Sequence, residues 1–162
     1  MYTEQELLDV AKEKKRRIFI TLIPTVLVFL IAVAIFVYGQ ITRSQTLWVI
    51  TVLLTIISWG ALLFLYGTWI KPARLYQRHI HYMLHGKQVI TTGYLKEISD
   101  IISIQDSLPF YSILINVGEK DDPEDDRLFY YDAQKENIPF AIGTKITVSS
   151  NDRKISNIEE AE

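Results

Sequence analysis

The sequence predicts an α+β membrane protein: an N-terminal hairpin of two transmembrane helices, a juxtamembrane helix and a small C-terminal β-barrel. Three observations predict it. Residues 18–38 and 47–70 are apolar and contain no Asp, Glu, Lys, Arg or His, and each has about the 20 residues a helix needs to cross a bilayer. Basic residues crowd the outer flanks of this pair. Beyond residue 87 the helical apolar period gives way to short β-branched and aromatic runs separated by turns, the pattern of strands.

The elements follow in order. Residues 1–17 are a basic N-terminal segment, with Lys12, Lys14, Lys15, Arg16 and Arg17 directly ahead of the first apolar stretch. Lys71, Arg74 and Arg78 follow the second, and residues 39–46 between them carry Arg43 alone. Lys and Arg near span ends are retained on the cytoplasmic side. The expected topology is therefore two spans in the plasma membrane, with both termini cytoplasmic and the connecting loop outside. Tyr38 and Trp48 at one boundary, and Tyr66 and Trp69 at the other, suit interfacial aromatic belts. A basic start, an apolar run and Ala32-Val33-Ala34 also resemble a secretory signal. The long basic region and the continuation of the apolar run to Tyr38 argue against cleavage.

Within the spans, Thr51, Thr55, Ser58 and Leu62 recur at helical spacing, and Thr21, Thr25, Ala32 and Ala34 offer small residues opposite. Small residues and hydroxyls are the usual packing material between membrane helices. A transport path normally carries an ionisable group inside the membrane, and none is present in either stretch. Pro24 predicts a local kink.

Residues 71–86 read as an amphipathic helix with Pro72 as a hinge and Gly86 as its stop. Leu75, Tyr76, His79, Ile80, Met83 and Leu84 form one face, and Arg74, Gln77, Arg78, His81 and His85 the others. Such a helix leaves the membrane or lies along it. Lys71, Arg74 and Arg78 are candidates for contact with lipid headgroups. His81 and His85 share a face, but no third ligand accompanies them, so no metal site is expected.

Residues 87–159 are the expected cytoplasmic β-domain, followed by an acidic tail, 160–162. Strands are predicted at 88–98, 101–105, 111–117, 128–131, 145–149 and 154–158, with a hairpin turn at Asn151-Asp152. Residues 107–109 and 119–126 read as loops and 133–141 as an irregular connector. A domain this small hides its strand edges most economically by closing into a barrel. The long first strand with a central Gly93, the meander and the Gly-led last hairpin look like an OB-fold or an SH3-like barrel.

Lys71, Pro72, Arg74, Tyr76, Gly93, Arg127, Tyr130, Asp132 and Gly143 carry a resemblance to uncharacterised small two-span membrane proteins of Gram-positive bacteria, which implies no particular activity. The architecture alone is also similar to the NfeD family, whose membrane helices bear an OB-type domain and which partner membrane-associated scaffold proteins.

Charge separates the functional classes. Residues 1–86 hold nine basic and four acidic side chains, whereas the remainder holds eight basic and fifteen acidic. Tyr94, Phe110, Tyr111, Phe129, Tyr130 and Tyr131 could stack on bases, but an acidic domain repels phosphate, so nucleic acid is not an expected partner. The run containing Asp121, Asp122, Glu124, Asp125 and Asp126 has Pro123 where a calcium loop needs glycine. It reads as a solvated tip or an acidic docking surface for a basic protein. No nucleophile elbow, phosphate loop or dinucleotide fingerprint occurs, and Cys is absent. No catalytic residue, metal or cofactor is expected. The expected function is a membrane-anchored, non-enzymatic interaction module for an unidentified protein partner or a second copy of the chain. The alternatives are a lipid- or ligand-sensing accessory subunit, and an enzyme with an unrecognised site.

Overall fold

A computed structural model of the chain describes residues 2–118, 122–135 and 138–161. Helix α1 spans Glu4–Thr42 and α2 spans Gln45–Leu65; a π-helical turn, Tyr66–Ile70, leads into α3, Lys71–His85. Strands follow at β1 Val89–Gln105, β2 Leu108–Asn116, β3 Asp126–Asp132, β4 Lys145–Asn151 and β5 Lys154–Glu160. The fold is thus α+β, with two long apolar helices ahead of a five-stranded sheet. The chain divides into two units, Asp9–Arg74 and Met1–Leu8 with Leu75–Glu162.

In the helical unit, both apolar stretches form helices long and apolar enough to cross a membrane. The expected eight-residue connection shrinks to Arg43-Ser44. Arg43 takes a left-handed conformation (φ 53°) and the Ser44 amide donates to Gly39 O at 3.1 Å, the six-to-one bond of a Schellman cap. α1 also starts well before the first span, so most of the basic N-terminal segment is helical. Pro24 sits inside the helix without ending it. Pro72 likewise does not end the helix. The π-turn just before it widens the backbone where the proline ring would meet the carbonyl of residue 68.

The two helices meet along a seam with heptad spacing. On α1 its members are Thr21, Thr25, Val28, Ala32, Ile35 and Gly39; on α2 they are Leu47, Thr51, Leu54, Ser58, Leu62 and Leu65, all wholly or partly buried. The α1 positions alternate steps of four and three throughout and the α2 positions do so apart from the step from Ser58 to Leu62, the spacing of a left-handed coiled pair. At one end Gly39 lets Leu47 approach so closely that an added Cβ would lie 3.1 Å from the Leu47 Cβ. At the other, Arg17 donates to Trp69 O at 3.1 Å. The helices are therefore antiparallel. The hydroxyls of Thr21, Thr25, Thr51 and Thr55 each donate to the carbonyl four residues earlier at 2.8–3.0 Å, satisfying themselves within their own helix rather than across the seam.

In the second unit, the strands pair in the order β1-β2-β3-β5-β4, and β4 pairs back onto β1. All pairings are antiparallel except β3 with β5. The two strands expected at 88–98 and 101–105 are one strand, β1, interrupted by register shifts after Leu95 and Ile98. Leu108 and Pro109, expected in a loop, begin β2. The β1–β2 turn is Asp106-Ser107, and the β4–β5 turn falls at Asp152-Arg153, one residue later than expected. Both have two consecutive positive φ values, 51° and 65°, 50° and 62°, the geometry that fits the twist of a two-residue hairpin. Gly93 is required where β1 passes from β4 to β2, because a Cβ there would sit 2.2 Å from Asn116 O. The core is Leu95, Ile113, Ile115, Phe129, Tyr131, Ile146, Val148 and Ile155. His79, Ile80 and Met83 of α3 are buried in this unit, so the apolar face of the helix packs on protein.

Candidate functional site

The densest group of polar side chains in the second unit is built around Asp132, the last residue of β3. Register places it opposite Phe110 of β2, and it is almost fully buried. Its Oδ1 accepts from the Gln134 amide at 2.9 Å and its carbonyl from the Lys135 amide at 3.1 Å. The strand therefore turns directly onto its own acid side chain. Oδ2 accepts from the hydroxyls of Tyr2 and Tyr76, each at 3.0 Å.

Tyr2 arrives from the start of the chain. Thr3 caps α1 by accepting from the Glu6 amide at 3.1 Å, which places Tyr2 just outside the helix. The Tyr2 hydroxyl also lies 3.0 Å from His79 Nε2. A phenol has one proton, and here Asp132 receives it. His79 Nε2 must therefore carry a hydrogen and donate to Tyr2, which fixes the tautomer. His79 is enclosed by three aromatic rings: Phe110 edge-on at 5.3 Å, Tyr2 edge-on at 5.6 Å and Tyr76 stacked at 6.3 Å. Lys135 Nζ donates to both Glu6 carboxylate oxygens at 2.5 Å and lies 4.5 Å from the Tyr2 ring centroid, closing the group from the outside.

Burial sets the proton chemistry. It pushes the Tyr2 and Tyr76 hydroxyls well above the ordinary tyrosine range, and the Asp132 charge beside them pushes further. Burial lowers His79 to about 4, with Asp132 opposing the shift. A general acid or base at neutral pH needs a pKa near 7, and the tyrosines and the histidine have moved away from it in opposite directions. Physically, the cluster fastens residues 2–6 to the sheet.

Beside the cluster lies a cavity of about 270 Å³ bordered by α3 and the two hairpin turns. Phe110, Leu108 and Met83 give it apolar walls, and Arg78, Asp106, Asp152 and Lys154 a charged rim. Lys154 Nζ donates to Asp106 at 2.5 Å and lies 3.8 Å from Asp152. That lysine holds the Asp106 carboxyl below the usual range.

The predicted site residues are placed as follows. Lys71, Arg74 and Arg78 are exposed and fall within roughly a 60° arc of α3 at 100° per residue, opposite His79, Ile80 and Met83. Asp121 lies outside the described residues. Asp122 and Glu124 are exposed and Asp125 is half-buried. Part of this acidic run builds its own loop: Asp122 caps a short 3₁₀ turn, Pro123–Asp125, by accepting from the Glu124 amide at 3.0 Å. Asp126 accepts from Lys96 at 2.7 Å and from Asn116 Nδ2 at 2.9 Å. Among the described residues of that set, Asp122 and Glu124 are the exposed charges. The Tyr2–Asp132–Tyr76–His79 group was not predicted; its one local signal is Thr3-x-x-Glu6, a helix-start pattern that puts Tyr2 in a packing position. Comparison with protein-family models, curated proteins and solved structures gives no match.

Proposed function

We propose that the chain is a membrane-anchored, non-enzymatic interaction module that presents a small acidic β-barrel at the cytoplasmic face, where it recruits or stabilises a protein partner. One observation carries the anchoring. Away from the seam, α1 and α2 expose large apolar side chains on every face, among them Phe19, Ile23, Leu30, Ile56, Leu63 and Phe64. Such a surface needs lipid rather than water. The cyclic strand order with a parallel β3–β5 contact supports an OB-type barrel over an SH3-like one. The outward carboxylates of Asp122 and Glu124 favour a basic partner.

A second reading, a lipid-sensing accessory subunit, is favoured by the stripe of Lys71, Arg74 and Arg78. One experiment separates the two: purification of the full chain from membranes in mild detergent, followed by mass spectrometry and a liposome-binding assay. A stoichiometric protein partner that is lost on Asp122→Asn with Glu124→Gln is the expected result. The module reading fails if no partner co-purifies and replacing Lys71, Arg74 and Arg78 by Gln abolishes preference for anionic liposomes.

A further inference from the structure

Near the end of β1, Ser103 and Gln105 are half-buried while Ile101, Ile102 and Ile104 are exposed. Register pairs Ser103 with Phe110 and Gln105 with Leu108; Phe110 and Leu108 are buried, and Phe110 meets His79 of α3. Ser103 and Gln105 therefore share the face that α3 covers. The opposite face carries Ile102 and Ile104, paired with Tyr111 and Pro109. These isoleucines are 51% and 65% exposed, and Ile101 in the neighbouring bulge is 79% exposed. Side-chain alternation in a strand normally turns the apolar set inward, so three adjacent isoleucines in water mark a contact surface.

We propose that Ile101, Ile102 and Ile104 form a lipid-contact ridge that seats in the interfacial region of the bilayer; this rests on the membrane-anchored reading above. Two observations select lipid over protein. The first concerns the edge. β1 pairs with β4 only over Val89–Tyr94, and beyond Leu95 it pairs with β2 alone, which leaves an edge of the kind that recruits another strand. That edge is blocked. Between Ile98 and Ile102 the strand bulges, with three residues facing Ser112 alone. The Ile101 amide is taken by Ser99 Oγ at 3.2 Å, and Lys96, Glu97 and Asp100 place charges along it. Bulges and charges are what proteins use against edge pairing. Three isoleucines are also far short of the roughly 20–30 residues per side of a stable protein interface, so a second copy has little to hold.

The second observation is the tether. The β1–β2 turn reaches α3 near Arg78, because Asp106 and Arg78 border the same cavity. Only residues 71–77 separate Arg78 from Ile70, the end of the second apolar stretch. Eight residue steps span at most about 29 Å, so the ridge is held at high effective concentration beside the bilayer whatever the arrangement of the two units. A small apolar contact suffices under those conditions. Of the nearby charges, Asp106 is paired with Lys154, and Arg78 and Asp100 are of opposite sign. The ridge is therefore expected to enter zwitterionic lipid as readily as anionic lipid.

The chain has no cysteine, so single labels report cleanly. Ile104→Cys, Ile142→Cys, Ile90→Cys and Leu30→Cys are each labelled with bimane in the full chain, in phosphatidylcholine nanodiscs with and without acyl-chain nitroxide lipid. Ile142 and Ile90, at 67% and 72% exposure, match Ile104 in openness but lie off the ridge. The expected result is at least twofold stronger quenching at Ile104 than at either, with strong quenching at Leu30. Quenching at Leu30 with Ile104 no higher than Ile142 overturns the ridge and leaves anchoring intact. No quenching at Leu30 overturns both. Disulfide dimers of Ile104→Cys in place of quenching assign the ridge to a second copy and overturn the lipid contact.

Discussion

Asp132 collects three donors on two oxygens, and each comes from a different part of the chain: Tyr2 from the N-terminus, Tyr76 from α3 and the Gln134 amide from the following turn. Hydrogen bonds to a buried carboxylate are worth more than neutral ones. The adjacent His79 gives this arrangement a measurable signature. Its pKa is about 4 against an ordinary value near 6.5, because burial disfavours the imidazolium. The unfolded chain therefore binds a proton that the folded chain refuses between those two values. Stability attributable to His79 is complete above about pH 6.5 and is lost as the pH falls towards 4, by roughly 3 kcal/mol at most. Thermal melts of the second unit in nanodiscs, run from pH 7 to pH 4, should show this slope in the native chain. His79→Phe keeps the aromatic contacts and removes the titrating group, so its melting temperature should fall distinctly less over the same range. Equal slopes would show that carboxylates alone carry the acid sensitivity.

Elements differ in how far the sequence revealed them. The helical stretches were legible from composition, because an uncharged apolar run of that length has few alternatives. Of the stripe Thr51, Thr55, Ser58 and Leu62 read from spacing, Thr51, Ser58 and Leu62 fall on the seam. The length of β1 was not: Ser99-Asp100 reads as a turn, but the ladder bridges it as a bulge, and bulges depend on the partner strand. The Asp132 cluster was hidden for a related reason. Its members lie up to 130 positions apart in sequence, and only register and the docking of α3 bring them together. Gly93 was legible as an unusual residue, though not the reason for it. It marks the point where β1 changes neighbours, and a Cβ would strike the backbone of Asn116 rather than a side chain that can move. Gly93→Ala should therefore cost roughly 3 kcal/mol or more, in the range reserved for backbone clashes and core disruption. By contrast Gly60→Ala, whose Cβ meets nothing within 4 Å, should be neutral or better, as expected for an open helical site. Urea titrations of the two variants read this directly; similar midpoints would mean that β1 and β2 separate easily at the crossing.

At the scale of the whole chain, the unit that contains the sheet is discontinuous: it takes in Met1–Leu8 as well as Leu75–Glu162, and the helical unit is inserted between them. Tyr2 and Glu6, ahead of that insertion, bind Asp132, His79 and Lys135 beyond it. A chain that leaves a folded unit and returns to it must cross any intervening bilayer an even number of times. On the membrane-spanning reading proposed above, the two apolar helices would meet that condition with the Arg43-Ser44 turn on the far side. On that reading the basic residues Lys12, Lys14, Lys15, Arg16 and Arg17, and Lys71, Arg74 and Arg78, would share one side, and the distribution of Lys and Arg would make that side the cytoplasm. The proposed orientation takes its sign from the Lys and Arg distribution alone, since the fold bears only on whether both flanks of the hairpin share a side. It is checked in intact cells with a membrane-impermeant maleimide, using Arg43→Cys and Asn157→Cys one at a time in the cysteine-free chain. Arg43→Cys should label in intact cells, and Asn157→Cys only after permeabilisation. The reverse pattern would place the sheet outside the cell. Labelling of both in intact cells would remove the bilayer from between them, and with it the membrane-spanning hairpin.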